Sequence, residues 1–182
     1  TLDITRLARA GSTADLVVAV SDYINAGDQA GGKQTHYAQS SGCFYTRTTG
    51  IWQSVWMEAV HPAGLADVQI IPDASAGALI VVPRFRRLDA QALLTVTVSR
   101  DGGELVRETV ACRDGVPVRL DVPNAELWYP GSPVLYDLSL VVERDGKKLD
   151  AVSSYAALRD VTLRDGRFFV NEKSVYLRLV LD

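Results

Sequence analysis

The sequence predicts an all-β protein built around an immunoglobulin-like β-sandwich. Three observations carry that reading. Apolar residues recur at every second position through several short runs, turn signals separate those runs, and no long segment sustains a 3.6-residue apolar period. Alternation with period two is what a strand needs to bury one face and wet the other.

Taken in order, residues 14–23 and 44–60 read as strands of a separate upstream sheet, with a Gly-rich polar loop from Ala26 to Gln34 between them. The Pro and Gly of His61-Pro62-Ala63-Gly64 interrupt the second of these and mark a boundary. From residue 65 to 160 the pattern holds about seven strands, one immunoglobulin-sized domain. Leu94, Val96 and Val98 alternate with Thr95, Thr97 and Ser99; Val116, Val118, Leu120 and Val122 with Pro117, Arg119 and Asp121. Tyr136, Leu138, Leu140 and Val142 do the same against polar neighbours and Val141. The triplet Arg-Asp-Gly occurs at 100–102, 113–115, 144–146 and 164–166, and Asp-Gly supplies the positive φ angles of tight turns. Leu88–Leu94 offers at most a turn or two of helix. Val175–Leu181 is a strongly apolar run, as in a strand covered on both faces, and nothing follows to cover it. The chain therefore reads as a piece of a longer one.

Composition narrows the function classes. The 182 residues are 47% hydrophobic and 23% charged, the balance of a folded soluble domain and not of a disordered chain. A net charge of −3 lacks the basic footprint of a nucleic-acid binder, so no nucleic-acid partner is expected. Arg84, Arg86 and Arg87 around Phe85 read as a solvated strand end. No stretch reaches the roughly 18 to 20 apolar residues of a membrane span, so no membrane partner is expected either. The N-terminus has no basic-then-apolar leader, which gives a cytoplasmic expectation.

Residues with chemistry are few. Cys43 and Cys112 cannot build a disulfide framework or a zinc site, and each reads as a small buried apolar residue. His36 and His61 lack a third ligand, so no metal is expected, and Gly31-Gly32-Lys33 precedes no helix that would make a phosphate loop. The acids fall in turns or on outward strand positions, not as a paired cleft. Trp52 and Trp56 share one parity, on which the core is the favoured place for both indoles, whereas Tyr45 and Arg47 are freer to meet a ligand.

Three segments carry a resemblance. Tyr45-Thr46-Arg47-Thr48-Thr49-Gly50-Ile51-Trp52-Gln53-Ser54-Val55-Trp56-Met57-Glu58 resembles the sugar-binding-domain signature of family-two glycoside hydrolases, which include β-galactosidases, β-glucuronidases and β-mannosidases. Asp3-Ile4-Thr5, Leu16–Asp22 and Gly32-Lys33-Gln34 resemble the end of that jelly-roll domain. Leu127-Trp128-Tyr129-Pro130-Gly131-Ser132-Pro133-Val134-Leu135-Tyr136 resembles a motif late in the family's immunoglobulin-like domain. Leu158-Arg159 through Arg178 resembles the hairpin leading into the first strand of its catalytic TIM barrel, with departures at Ala157, Leu179 and Glu172–Ser174.

The resemblance implies three parts: residues 1–62 from the jelly roll, 63–160 the immunoglobulin-like sandwich, and 161–182 the hairpin and first barrel strand. It places the two catalytic glutamates on later barrel strands, so no catalytic residue, no metal ligand and no cofactor is expected in this chain. Tyr45, Arg47, Arg178 and Asp182 become candidates for the substrate rim. The implied partners are a carbohydrate substrate in the full-length enzyme and the TIM barrel of the same chain, with homo-oligomerisation of the parent left open. The rival reading is a stand-alone carbohydrate-binding or protein-interaction sandwich.

Overall fold

The computed structural model describes residues 2–8, 11–23 and 28–180. It divides into two compact units, Thr1–Glu58 and Ala59–Asp182.

The second unit holds every regular strand of the described residues: β1 (Leu65–Asp73), β2 (Ala78–Phe85), β3 (Leu93–Arg100), β4 (Gly103–Ala111), β5 (Val118–Asp121), β6 (Tyr136–Arg144), β7 (Lys147–Ala156), β8 (Val161–Arg164), β9 (Arg167–Val170) and β10 (Lys173–Val175). The first seven form two antiparallel sheets, β1-β2-β5 and β4-β3-β6-β7, and the last three form a small meander, β10-β9-β8. The expected strand count between 65 and 160 is met. All three alternations read from the sequence point into one core: Leu94, Val96 and Val98, Val118, Leu120 and Val122, and Tyr136, Leu138, Leu140 and Val142 are buried together. Register matches core residue to core residue, Val96 opposite Leu140 and Leu94 opposite Val142 in one sheet, Val81 opposite Val118 in the other. A one-residue slip would turn each row to solvent, so the pattern that makes the strands also fixes their pairing. Only Val116 falls outside, exposed ahead of β5.

Polar groups at the core's margin find partners. The Tyr136 hydroxyl, at the start of β6, donates to the Glu126 carbonyl at 3.0 Å and accepts from the Glu126 N–H at 2.7 Å. This pins the loop between β5 and β6 and leaves no orphan polar atom on a fully buried ring. At the expected boundary, Asp150 of β7 accepts from Leu65 N at 2.8 Å, tying β1 to the opposite sheet. A Cβ on Gly64 would sit 2.6 Å from that carboxylate and 3.0 Å from the His61 carbonyl, so a side chain there would crowd this bond.

The Arg-Asp-Gly triplets divide. At 100–102, 144–146 and 164–166 both Asp and Gly take positive φ and close the hairpins β3–β4, β6–β7 and β8–β9. At 113–115 only Gly115 does, because β4 and β5 belong to different sheets and this turn carries the chain between them.

Several expectations are corrected. Leu88–Leu94 forms no helix; a turn closes from Asp89 to Ala92 and β3 follows. Residues 14–23 and 44–60 form no strands in their described parts, and only isolated bridges occur, Gln34 with Tyr45 and Ser41 with Phe44. A strand must hand its N–H and C=O groups to a neighbour, and neither run finds a ladder within this unit. Without one the side chains have no face to bury: Trp52 is 87% and Trp56 76% exposed, not in a core, and Cys43 is exposed where only Cys112 is buried. The apolar run after residue 174 likewise ends as strand at Val175, and Tyr176, Leu179 and Val180 are exposed.

Candidate functional site

The motif Leu127–Tyr136 builds a tightly turned surface feature. Its Tyr129-Pro130-Gly131-Ser132 turn closes by reciprocal backbone hydrogen bonds of 3.1 and 2.8 Å. Pro130 presets the first corner, and Gly131 supplies the positive φ (94°) of the second. The turn fixes Trp128, whose backbone N–H donates to Leu158 O at 2.8 Å. The Arg159 guanidinium stacks over its indole, 4.8 Å from the ring centroid. Beside it lies an open groove of about 510 Å³, lined by Trp128, Arg159, Tyr155, Leu135, Pro72 and Val161 with Ala156 and Ala157.

No carboxylate, imidazole or thiol lines this groove. It therefore offers aromatic, guanidinium and Tyr155 phenol contact, without the carboxylate pair of a glycoside-hydrolysing cleft. Elsewhere in this unit the carboxylates with shifted acidity are committed to structure. Asp114 accepts from Phe85 N and from Arg84, and these two bonds hold its pKa below the ordinary 3.8. Asp89 is lowered by the Gln91 N–H and then by Arg144; Asp73 by the Ser75 hydroxyl, the Ala76 N–H and Arg119. Each is held ionised, the opposite of what an acid catalyst needs. Burial, helped by Asp89, pushes the Cys112 thiol up to about 11, away from the reactive thiolate. Among the described residues no group of three or more His, Cys, Asp and Glu side chains could hold a metal ion.

The rim candidates are placed as follows. Tyr45 is tied by backbone bonds of 2.8 Å to Lys33 O and from Thr35 N, with its ring exposed and the Lys33 ammonium 5.8 Å from the ring centroid. Arg47 is exposed two residues on, and Gln34 Oε1 takes the Thr48 N–H at 2.8 Å, holding this stretch to the Gly-rich loop. Arg178 belongs to the other unit, exposed in the irregular segment after β10. Asp182 lies outside the described residues. Trp128 lies in one of the motifs read from the sequence, and Arg159 and Asn171 lie in another. Their meeting depends on the path between β7 and β8, which no local pattern encodes.

Residues 63–159, covering the sandwich and the linker that carries Arg159, match the family described as glycosyl hydrolases family 2. The chain belongs to glycosyl hydrolase family 2. Among family-2 relatives, beta-mannosidase B of Aspergillus flavus is 30% identical over 126 residues, covering 64% of this chain and 15% of that protein. A beta-galactosidase of Thermoanaerobacter pseudethanolicus is 22% identical over 138 residues, 71% of this chain and 19% of its own. A solved β-glucuronidase from Ruminococcus gnavus superposes with a TM-score of 0.54 at 17% identity, covering 66% of this chain and 20% of that one, and shares the fold. The chain thus spans a fifth or less of the length of these family-2 proteins.

Proposed function

We propose that this chain is the non-catalytic β-sandwich portion of a family-2 enzyme that hydrolyses O-glycosidic bonds of β-linked sugars. Its role there is to brace the catalytic barrel and shape the substrate entrance, with Tyr45, Arg47, Arg178 and Asp182 on the rim. The observation that carries the reading is the coincidence of the family match, 63–159, with the seven-strand sandwich. Support also comes from the carboxylates of the sandwich, since those with shifted acidity serve turns and none lines the groove.

The test is made on two proteins. The purified 182-residue chain should turn over no nitrophenyl β-glycoside, and the product of the complete reading frame should cleave at least one. Cleavage by the short chain that survives a contamination control overturns the first half; an inert full-length protein overturns the second. The carbohydrate-binding alternative is favoured by one observation, the exposure of both Trp52 and Trp56. It requires quenching of tryptophan fluorescence by millimolar galactose, mannose or glucuronate, and no change removes it.

A further inference from the structure

We propose that Asn171 is a positioning residue that latches the β8–β10 meander to the sandwich and so sets the direction in which the chain leaves β10. The meander shares no strand pairing with either sheet of the sandwich, and residues 157–160 are the chain segment that joins it to β7. Four residues on a free hinge would let the meander swing.

Both ends of the Asn171 amide are used to stop this. Its Nδ2 donates to the Trp128 carbonyl at 2.7 Å, reaching back 43 residues to the sandwich loop. Its Oδ1 accepts from Asp160 N at 2.9 Å, and its own backbone N–H donates to Asp160 O at 3.0 Å. One partner is a carbonyl and the other an N–H, so only this orientation of the amide satisfies both. The site also needs an unusual backbone, since Asn171 sits at φ 49°, a region that asparagine tolerates better than other side chains. One residue type meets both demands.

The rest of the joint converges on the same loop. Leu158 is buried in the sandwich core while its carbonyl takes the Trp128 N–H, Arg159 stacks on the Trp128 indole, and Lys173 lies 5.3 Å from the Tyr129 ring centroid. Of the hydrogen bonds between meander and sandwich among the described residues, the Asn171–Trp128 bond is the direct one. The latch stands on these contacts alone. Its consequence for a barrel rests on the proposed function, and loss of that function would leave the latch intact.

Amide hydrogen exchange on the 182-residue chain tests it. Asn171→Gly keeps the left-handed backbone and deletes the side chain; Asn171→Asp keeps the acceptor but turns the donor into an oxygen facing the Trp128 carbonyl. Both should raise exchange at Asp160 and through β8–β10 by roughly tenfold or more, with β3 and β6 unchanged. Glu172→Gly eases the neighbouring positive φ and deletes the 2.6 Å bond from Arg164 inside the meander without touching the latch, so its exchange should rise far less than that of Asn171→Gly, and an equal rise overturns the proposal. An increase spread equally over meander and core means that Asn171 only adds global stability and overturns the proposal. Unchanged exchange in Asn171→Gly overturns it too.

Discussion

At the scale of single residues, the structure separates polar atoms that are used from one that is not. The Tyr136 hydroxyl makes two hydrogen bonds in a buried position, and the Asn171 amide makes two at a half-buried one. The Thr162 hydroxyl on β8 is buried with no hydrogen-bond partner. An unsatisfied buried hydroxyl keeps its desolvation cost and gains nothing in exchange. Valine has nearly the same shape and suits a strand as well as threonine does. Thr162→Val is therefore expected to stabilise the chain by about 1 kcal/mol, a rise of a few degrees in Tm. Thermal unfolding followed by circular dichroism checks this, and a fall in Tm would mean that the hydroxyl has a partner after all.

At the scale of elements, the turns show how far local chemistry reaches. Three Arg-Asp-Gly triplets became hairpins, because consecutive positive φ angles are written in the residues themselves. The fourth could not be told from them, since whether a turn closes a hairpin or crosses to the other sheet depends on where the next strand pairs. Glycines divide by the same logic. A Cβ at Gly146 meets nothing within 4 Å, so only its φ of 72° opposes a side chain. A Cβ at Gly77 would lie 2.9 Å from Ala125 Cβ, and its φ is 65°. Gly146→Ala should cost about 1 kcal/mol and Gly77→Ala clearly more, as strain and overlap add. Urea denaturation of the two variants gives the order, and equal losses would show that the Ala125 loop yields freely.

At the scale of the whole molecule, legibility followed whether a pattern had its partner within the chain. The rows at 94–98 and 136–142 pair with each other, and the row at 118–122 pairs with β2 and packs into the same core, so alternation alone located a core that the structure confirms. The runs at 14–23 and 44–60 are apolar in blocks, Leu16–Val20 and Val55–Met57, with no clean alternation; they lack a ladder, and their side chains stay exposed. The Trp128–Arg159–Asn171 joint was hidden for the reverse reason: its parts come from two separate motifs that only the fold assembles.

The same distance in sequence governs how the molecule should answer acid. Asp73 pairs with Arg119, Asp89 with Arg144 and Asp114 with Arg84, each joining segments 30 to 55 residues apart. All three carboxyls are held below their ordinary 3.8 in the folded chain. A depressed folded pKa means that the unfolded chain takes up protons first as pH falls. The stabilisation from these groups is therefore complete above about pH 5 and drains away as pH drops below about 4 toward their folded values. Because Asp114 is exposed and Asp73 and Asp89 are partly so, added salt should weaken the effect. The urea midpoint is expected to be nearly flat from about pH 7 to 5 and to fall steeply below 4. In the triple variant Asp73→Asn, Asp89→Asn, Asp114→Asn the midpoint should start lower at neutral pH and fall less on acidification. An equally steep acid limb in that variant would place the acid-sensitive joints elsewhere in the sandwich.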